Sequence, residues 1–140
     1  MEQFIYYAIL ALVLLDFYFD LWMDKLMYKS YSYPIPDNLK DIYDDETLIK
    51  QKNYHIEHYK FGMRQGLLSF LITVTILSFK FFGILDSFLR TYIENEFLIT
   101  ILFFAILGLG YSLISLPFSY HETFVIEQKY GFNTSTKKTF

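Results

Sequence analysis

Twenty consecutive residues, Phe97 to Leu116, carry no formal charge. A helix rises about 1.5 Å per residue, so this run reaches about 30 Å, the thickness of a bilayer's hydrocarbon core. Two further apolar stretches accompany it. Phe4 to Leu15 is uncharged, and the segment continues past Asp16 and Asp20 to Trp22 and Met23, with Trp22 placed like an interface anchor. Gly66 to Phe79 is uncharged for fourteen residues, which alone is marginal for a span. Lys80 can extend its ammonium toward headgroups while its stem stays in lipid, so that Phe81 to Leu85 completes the crossing. These stretches predict three spans, at about 4–23, 66–85 and 97–116, with Pro117 stopping the third.

The aromatic content agrees. Sixteen Phe and thirteen Tyr in 140 residues exceed what a small water-borne core needs, and suit helices in lipid with Tyr and Trp at the interface. The chain has no cysteine, which excludes a disulfide framework and a thiolate metal site. A net charge of −3 with no basic patch argues against nucleic acid as a partner. Met1-Glu2-Gln3 is acidic and no small-residue cleavage site follows, so the first segment reads as a retained span rather than a signal peptide.

The polar stretch 24–65 separates the first two spans. Pro34 and Pro36 bias their predecessors to extended backbone. Asp44-Asp45-Glu46 places acids at a helix start, where the dipole favours them. Thr47 to Arg64 has no proline, so a helix is expected to run on into the second span. Seven basic residues lie in this loop, against Lys80 and Arg90 in the second loop and none before the first span. The positive-inside rule then places the N-terminus outside and 24–65 and the tail 117–140 in the cytoplasm. Asp86 to Glu94 is a short amphipathic stretch expected at the outer interface. Asn133-Thr134-Ser135-Thr136 reads as a helix-capping cluster, which suggests the front part of a longer protein. Asn133 also opens an N-glycosylation triplet, but on a cytoplasmic tail the capping reading prevails.

The tail carries a longer pattern. Leu116-Pro117-Phe118-Ser119-Tyr120, Thr123-Phe124-Val125-Ile126-Glu127 and Gly131-Phe132-Asn133 resemble the integral-membrane CAAX prenyl protease family of type 1. Upstream, Pro36-Asp37-Asn38-Leu39, then Asp44, Glu46 and Thr47, then Lys50 and Tyr54, are similar to that family's second signature. The resemblance covers nearly the whole chain and matches the family's N-terminal membrane domain. It departs at Tyr130, where the family usually has His, and the H-E-x-x-H zinc helix does not occur in these 140 residues. What the resemblance implies is a zinc endopeptidase that removes the last three residues of a CAAX-type C-terminus. It also implies a ring of seven membrane helices around a water-filled chamber. The partners would be the lipid bilayer, the remaining catalytic part of the same protein, and a peptide or protein C-terminus as substrate.

Several constellations remain to be placed. Asp16 and Asp20 stand i, i+4 on one helix face, and an acid at membrane depth faces a bundle interior or water, which makes both candidates for lining a cavity; the plainer alternative puts Asp20 in the last turn near the cytoplasmic headgroups, with Asp16 reaching toward them. His55 and His58 share a face at i, i+3, but zincin spacing is i, i+4 and a catalytic site needs three ligands, so a solvated polar face is the plainer reading. Tyr120, His121, Glu127 and Asn133 are candidates for structural support or for buttressing a zinc helix, with Glu127 pairing to Lys129 or Lys137 as the simpler alternative. Gly108 and Gly110 allow close helix approach but lack GxxxG spacing. The fold expected is all-α and membrane-integral, three spans plus a cytoplasmic helical extension, with zinc and peptidase activity belonging to the parent enzyme and not to this segment alone. The rival class is a non-enzymatic transport or assembly module, or a scaffold homologue without the zinc motif.

Overall fold

The computed structural model describes residues 1–31, 33 and 44–140. The prolines at 34 and 36 and the signature residues Asp37, Asn38 and Leu39 lie outside the described residues. The described residues contain helices and no strand. Lipid offers no hydrogen-bond partner to a free amide, so helices that satisfy their own backbone are the natural outcome for stretches this apolar. Three helical stretches are long and apolar enough to cross a membrane: Gln3–Ser30, Glu46–Ser78 and Glu96–Tyr130.

Helix α1 spans Glu2–Ser30, well past Met23, because nothing in Asp24 to Ser30 breaks a helix. Helix α2 spans Asp45–Ser78, 34 residues without interruption. Asp44 precedes it in extended backbone, and the Leu48 amide donates to the Asp44 carbonyl at 3.2 Å. The polar extension and the second apolar stretch are therefore one rod, as the missing proline foretold. At ~1.5 Å per residue it is about 50 Å long.

The two helices pack antiparallel through aromatic pairs. Phe17 stacks on Phe70 at 4.0 Å, Tyr28 on Tyr59 at 4.8 Å, and Tyr31 on His55 at 4.9 Å. Eleven residues forward on α1, from Phe17 to Tyr28, match eleven residues back on α2, from Phe70 to Tyr59. Eleven residues are close to three helical turns, so the same faces meet again.

The stretch 66–85 is not one helix, contrary to the expectation from hydropathy. Helix α2 ends at Ser78, and α3 covers Phe81–Tyr92. Lys80 sits between them with φ 53° and ψ 36°, in the left-handed region. A residue with a Cβ is strained there by about 1–2 kcal/mol. What offsets the strain is the contact it permits. The turn brings Leu85 and Leu89 of α3 against Ile99, and all three are buried. Phe103 and Leu107 flank the same cluster.

Helix α4 spans Glu96–His121. Its start is a side-chain cap, with Asn95 Oδ1 accepting from the Phe97 amide at 3.0 Å and the Leu98 amide at 3.2 Å. Arg90 ties α3 to this start, donating to Asp86 at 2.8 Å and to Glu96 at 2.6 Å. Its guanidinium is held protonated above its usual range, first by Glu96 and then by Asp86.

Pro117 does not end the third helix; it lies inside α4. An interior proline removes one backbone bond and crowds the preceding turn, at about 3 kcal/mol. Here the helix carries on because the residues beyond it find partners on α2, with Phe118 and His121 both against Phe61. The chain then widens into a π-helical turn, Glu122–Glu127, and closes with α5, Gln128–Tyr130. Gly131, at φ 74°, ends it. The Phe132 amide donates to the Glu127 carbonyl at 2.9 Å and the Gly131 amide to Gln128 at 3.2 Å, a Schellman closure that a left-handed glycine makes without strain.

The left-handed turn at Lys80 yields a direct test. Lys80→Gly should leave thermal stability of the protein in detergent unchanged or raise it by up to about 1 kcal/mol, whereas β-branched Lys80→Ile should lower it by more than about 1 kcal/mol. Equal melting of the Ile variant and the parent would contradict the turn.

Candidate functional site

The tail motif folds back on the polar half of α2, and this contact is the most chemically dense part of the molecule. On α2, Tyr54, Glu57, His58 and Phe61 recur at three- and four-residue intervals and so share one side. Each meets a residue from the tail. Lys129 Nζ donates to Glu57 Oε2 at 2.6 Å, and the Tyr130 hydroxyl donates to the same oxygen at 2.7 Å. His58 Nε2 lies 2.6 Å from Glu122 Oε1. His121 lies flat on Phe61, 4.8 Å between centroids with planes 13° apart. Tyr54 meets Tyr130 and Phe132 edge-on at 5.5 and 4.8 Å. Lys50 completes the contact, its Nζ 5.7 Å from the Phe132 ring centre. Ile126 sits beneath, the most deeply buried side chain described.

Charge in this cluster is set by the contacts. The Glu57 carboxyl is held below its ordinary value of 4.5, first by Lys129 and second by Tyr130. Reciprocally, the Glu57 carboxylate raises the Lys129 ammonium above 10.5 and the Tyr130 phenol above 10.0. Burial raises the Tyr54 phenol, helped by the carboxylates of Glu127 and Glu122.

The sequence-derived candidates fall in different places. His121 is inside the cluster through its stack on Phe61. Glu127 contributes its backbone carbonyl to the Phe132 amide and its charge to the surroundings of Tyr54. The proposed pairing of Glu127 with Lys129 does not occur, because residues i and i+2 point apart on a helix and Lys129 reaches Glu57 instead. Tyr120 packs its ring on Phe124 and Phe140, at 4.8 and 5.8 Å. Asn133 Oδ1 accepts from the Ser135 amide at 2.7 Å, a local turn. Asp16 and Asp20 are exposed on α1, beside Phe17, which faces α2.

Zinc finds no fit here. His55 is stacked on Tyr31, His58 is engaged with Glu122 and His121 lies on Phe61. Among the described residues no three His, Cys, Asp or Glu side chains are grouped to hold a metal ion. What the arrangement can do is fix the tail. It anchors the helical tail after α4 by one ion pair, a histidine–carboxylate hydrogen bond, a phenol hydrogen bond and an aromatic cluster.

Sequence reading did not join Glu57, Lys129 and Tyr130: it offered Lys129 to Glu127 and set Tyr130 aside as a departure from the family pattern. The signal available was the upstream signature, since Lys50 and Tyr54 belong to one half of the family motif and Gly131 and Phe132 to the other, and the fold brings the two halves into contact.

Three helices long and apolar enough to cross a membrane, with residues of both signature stretches in contact, define part of a multi-pass membrane protein. Residues 24–140 match the family described as CAAX prenyl protease N-terminal, five membrane helices, and the chain belongs to that family. It is 28% identical over 137 residues to the CAAX prenyl protease 1 homolog of Oryza sativa subsp. japonica, covering 92% of this chain and 32% of that protein. It is 31% identical over 113 residues to the CAAX prenyl protease 1 homolog of Mus musculus, covering 76% of this chain and 24% of that protein. The crystal structure of S. mikatae Ste24p superposes with a TM-score of 0.81 at 27% identity, over 91% of this chain and 31% of that one. The chain thus spans about a quarter to a third of the length of the relatives it matches.

The clamp has a definite pH window. A carboxyl depressed in the folded state contributes stability above its unfolded value and loses it as pH falls through the folded one; raised Lys and Tyr groups contribute below their unfolded values and lose it as pH rises. Tail docking should therefore hold between 4.5 and 10.0 and weaken on either side. Hydrogen exchange at the Phe132 amide, corrected for intrinsic rate, reads this. Glu57→Gln should lose the acid limb and reduce protection at neutral pH by about two- to fivefold. An unchanged acid limb would assign it elsewhere.

Proposed function

We propose that this chain is the N-terminal membrane segment of a zinc-dependent endopeptidase that cleaves the last three residues from CAAX-type C-termini, and that it builds chamber wall and scaffold rather than the reacting centre. The observation that carries this reading is the tail motif locked onto α2. A clamp of this kind sets the direction in which the chain leaves the membrane after α4, and a catalytic segment needs such a fixed base. Zinc would be held by residues other than those described here, and the substrate would be a peptide or protein C-terminus presented at the bilayer.

In the same reading the N-terminus is outside, and 24–65 and 117–140 are cytoplasmic, as the basic residues favour. Asp16 lines the water-filled chamber, supported by its exposure on α1 at a depth where lipid would be costly, while Asp20, one turn nearer the end of the span, sits at the cytoplasmic headgroups.

The complete protein, purified from membranes, should cleave a prenylated peptide ending in a CAAX sequence, lose activity to a zinc chelator and regain it with added zinc. Asp16→Leu should insert normally and alter that activity. A complete protein inert toward such peptides, with or without zinc, would favour the non-enzymatic module. Sidedness is checked separately. The described segment has no native cysteine, so single cysteines placed at Gln3 and Lys52 are clean probes. In intact cells an impermeant maleimide should label the first and spare the second; the reverse pattern would invert the topology.

A further inference from the structure

Beside the tail, α2 carries a second stripe that the clamp does not use up. Lys60 and Arg64, four residues apart, join Glu57 of the clamp in lining a cleft of about 420 Å³. Phe61 of the same helix and His121 and Tyr130 of the tail also line it. We propose that this cleft binds the phosphate group of an anionic lipid headgroup.

The charge argument comes first. Glu57 is neutralised by Lys129 at 2.6 Å. Lys60 and Arg64 are exposed, and among the described residues neither takes part in an ion pair. The cleft is therefore cationic on balance. An arginine fork receives phosphate oxygens bidentately, and a lysine adds a point charge.

Depth then selects the ligand. The apolar run of α2 begins at Gly66 and that of α4 ends at Leu116. At ~1.5 Å per residue Arg64 stands about 3 Å, and Lys60 about 9 Å, beyond the hydrocarbon edge, while the headgroup layer is about 5–8 Å thick on each side. His121, reached along α4, lies about 8 Å beyond its own edge by the same rise. Two helices measured independently put the inner end of the cleft, at Arg64 and His121, in the headgroup layer, with Lys60 at its outer edge and Glu57 about 13 Å out in water. Basic pockets between membrane helices at this level suit anionic headgroups, and a volume of 420 Å³ is ample for a phosphate and its glycerol.

This goes beyond the peptidase reading and is read without measuring activity. The complete protein in detergent is titrated with phosphatidylglycerol and with phosphatidylcholine, and bound lipid is counted by native mass spectrometry. One phosphatidylglycerol should be retained at least tenfold more tightly than phosphatidylcholine. Lys60→Gln with Arg64→Gln should abolish the difference, and Lys52→Gln, on the same helix but far from the border, should keep it. If the double variant fails to purify folded, Arg64→Gln alone should show a partial loss. Retention of phosphatidylglycerol by the double variant as in the parent, or no headgroup preference in the parent, overturns the proposal. Displacement of the lipid by millimolar inorganic phosphate overturns the lipid as the source.

Discussion

A helix that leaves lipid and enters water without breaking is the element on which this domain is built. Helix α2 has no proline from Asp45 to Ser78, so its backbone bonds continue across the boundary where the solvent changes. One face receives α1 through stacked aromatics; another receives the tail that follows α4. If α2 bent at the interface, these two faces would lose their common axis, and α1 and the tail could not both be seated.

The tail shows how tertiary contact overrules local preference. Pro117 and the π-helical turn that follows each interrupt regular bonding, and in isolation they would favour ending the helix. Packing of Phe118 and His121 on Phe61, the ion pair of Lys129 with Glu57 and the contact of Glu122 with His58 hold the chain on course. Family membership fits this arrangement. The two signature stretches of the CAAX prenyl protease N-terminal domain are separated by some eighty residues, yet Lys50 and Tyr54 touch Phe132.

Much of the helix content was legible from residues alone. The three apolar stretches, the acidic start of α2 and its continuity all rest on local composition. The break at Lys80 was not legible, because neither glycine nor proline marks it; it arises from Leu85 and Leu89 reaching Ile99 on another helix. The site was half legible. His121 and Glu127 stood out through their motif, while Glu57 looked like one more acid on a solvated face until Lys129 and Tyr130 were seen to converge on it.

From its residues in order, the chain commits itself to lipid and to helix, since transfer of apolar side chains and pairing of backbone amides add up locally along a segment. Which helix turns where, and which acid meets which base, was decided only when the helices were placed together. Glu57 and Lys129 are 72 positions apart, and no periodicity in one strand of sequence encodes a distance between two rods in space.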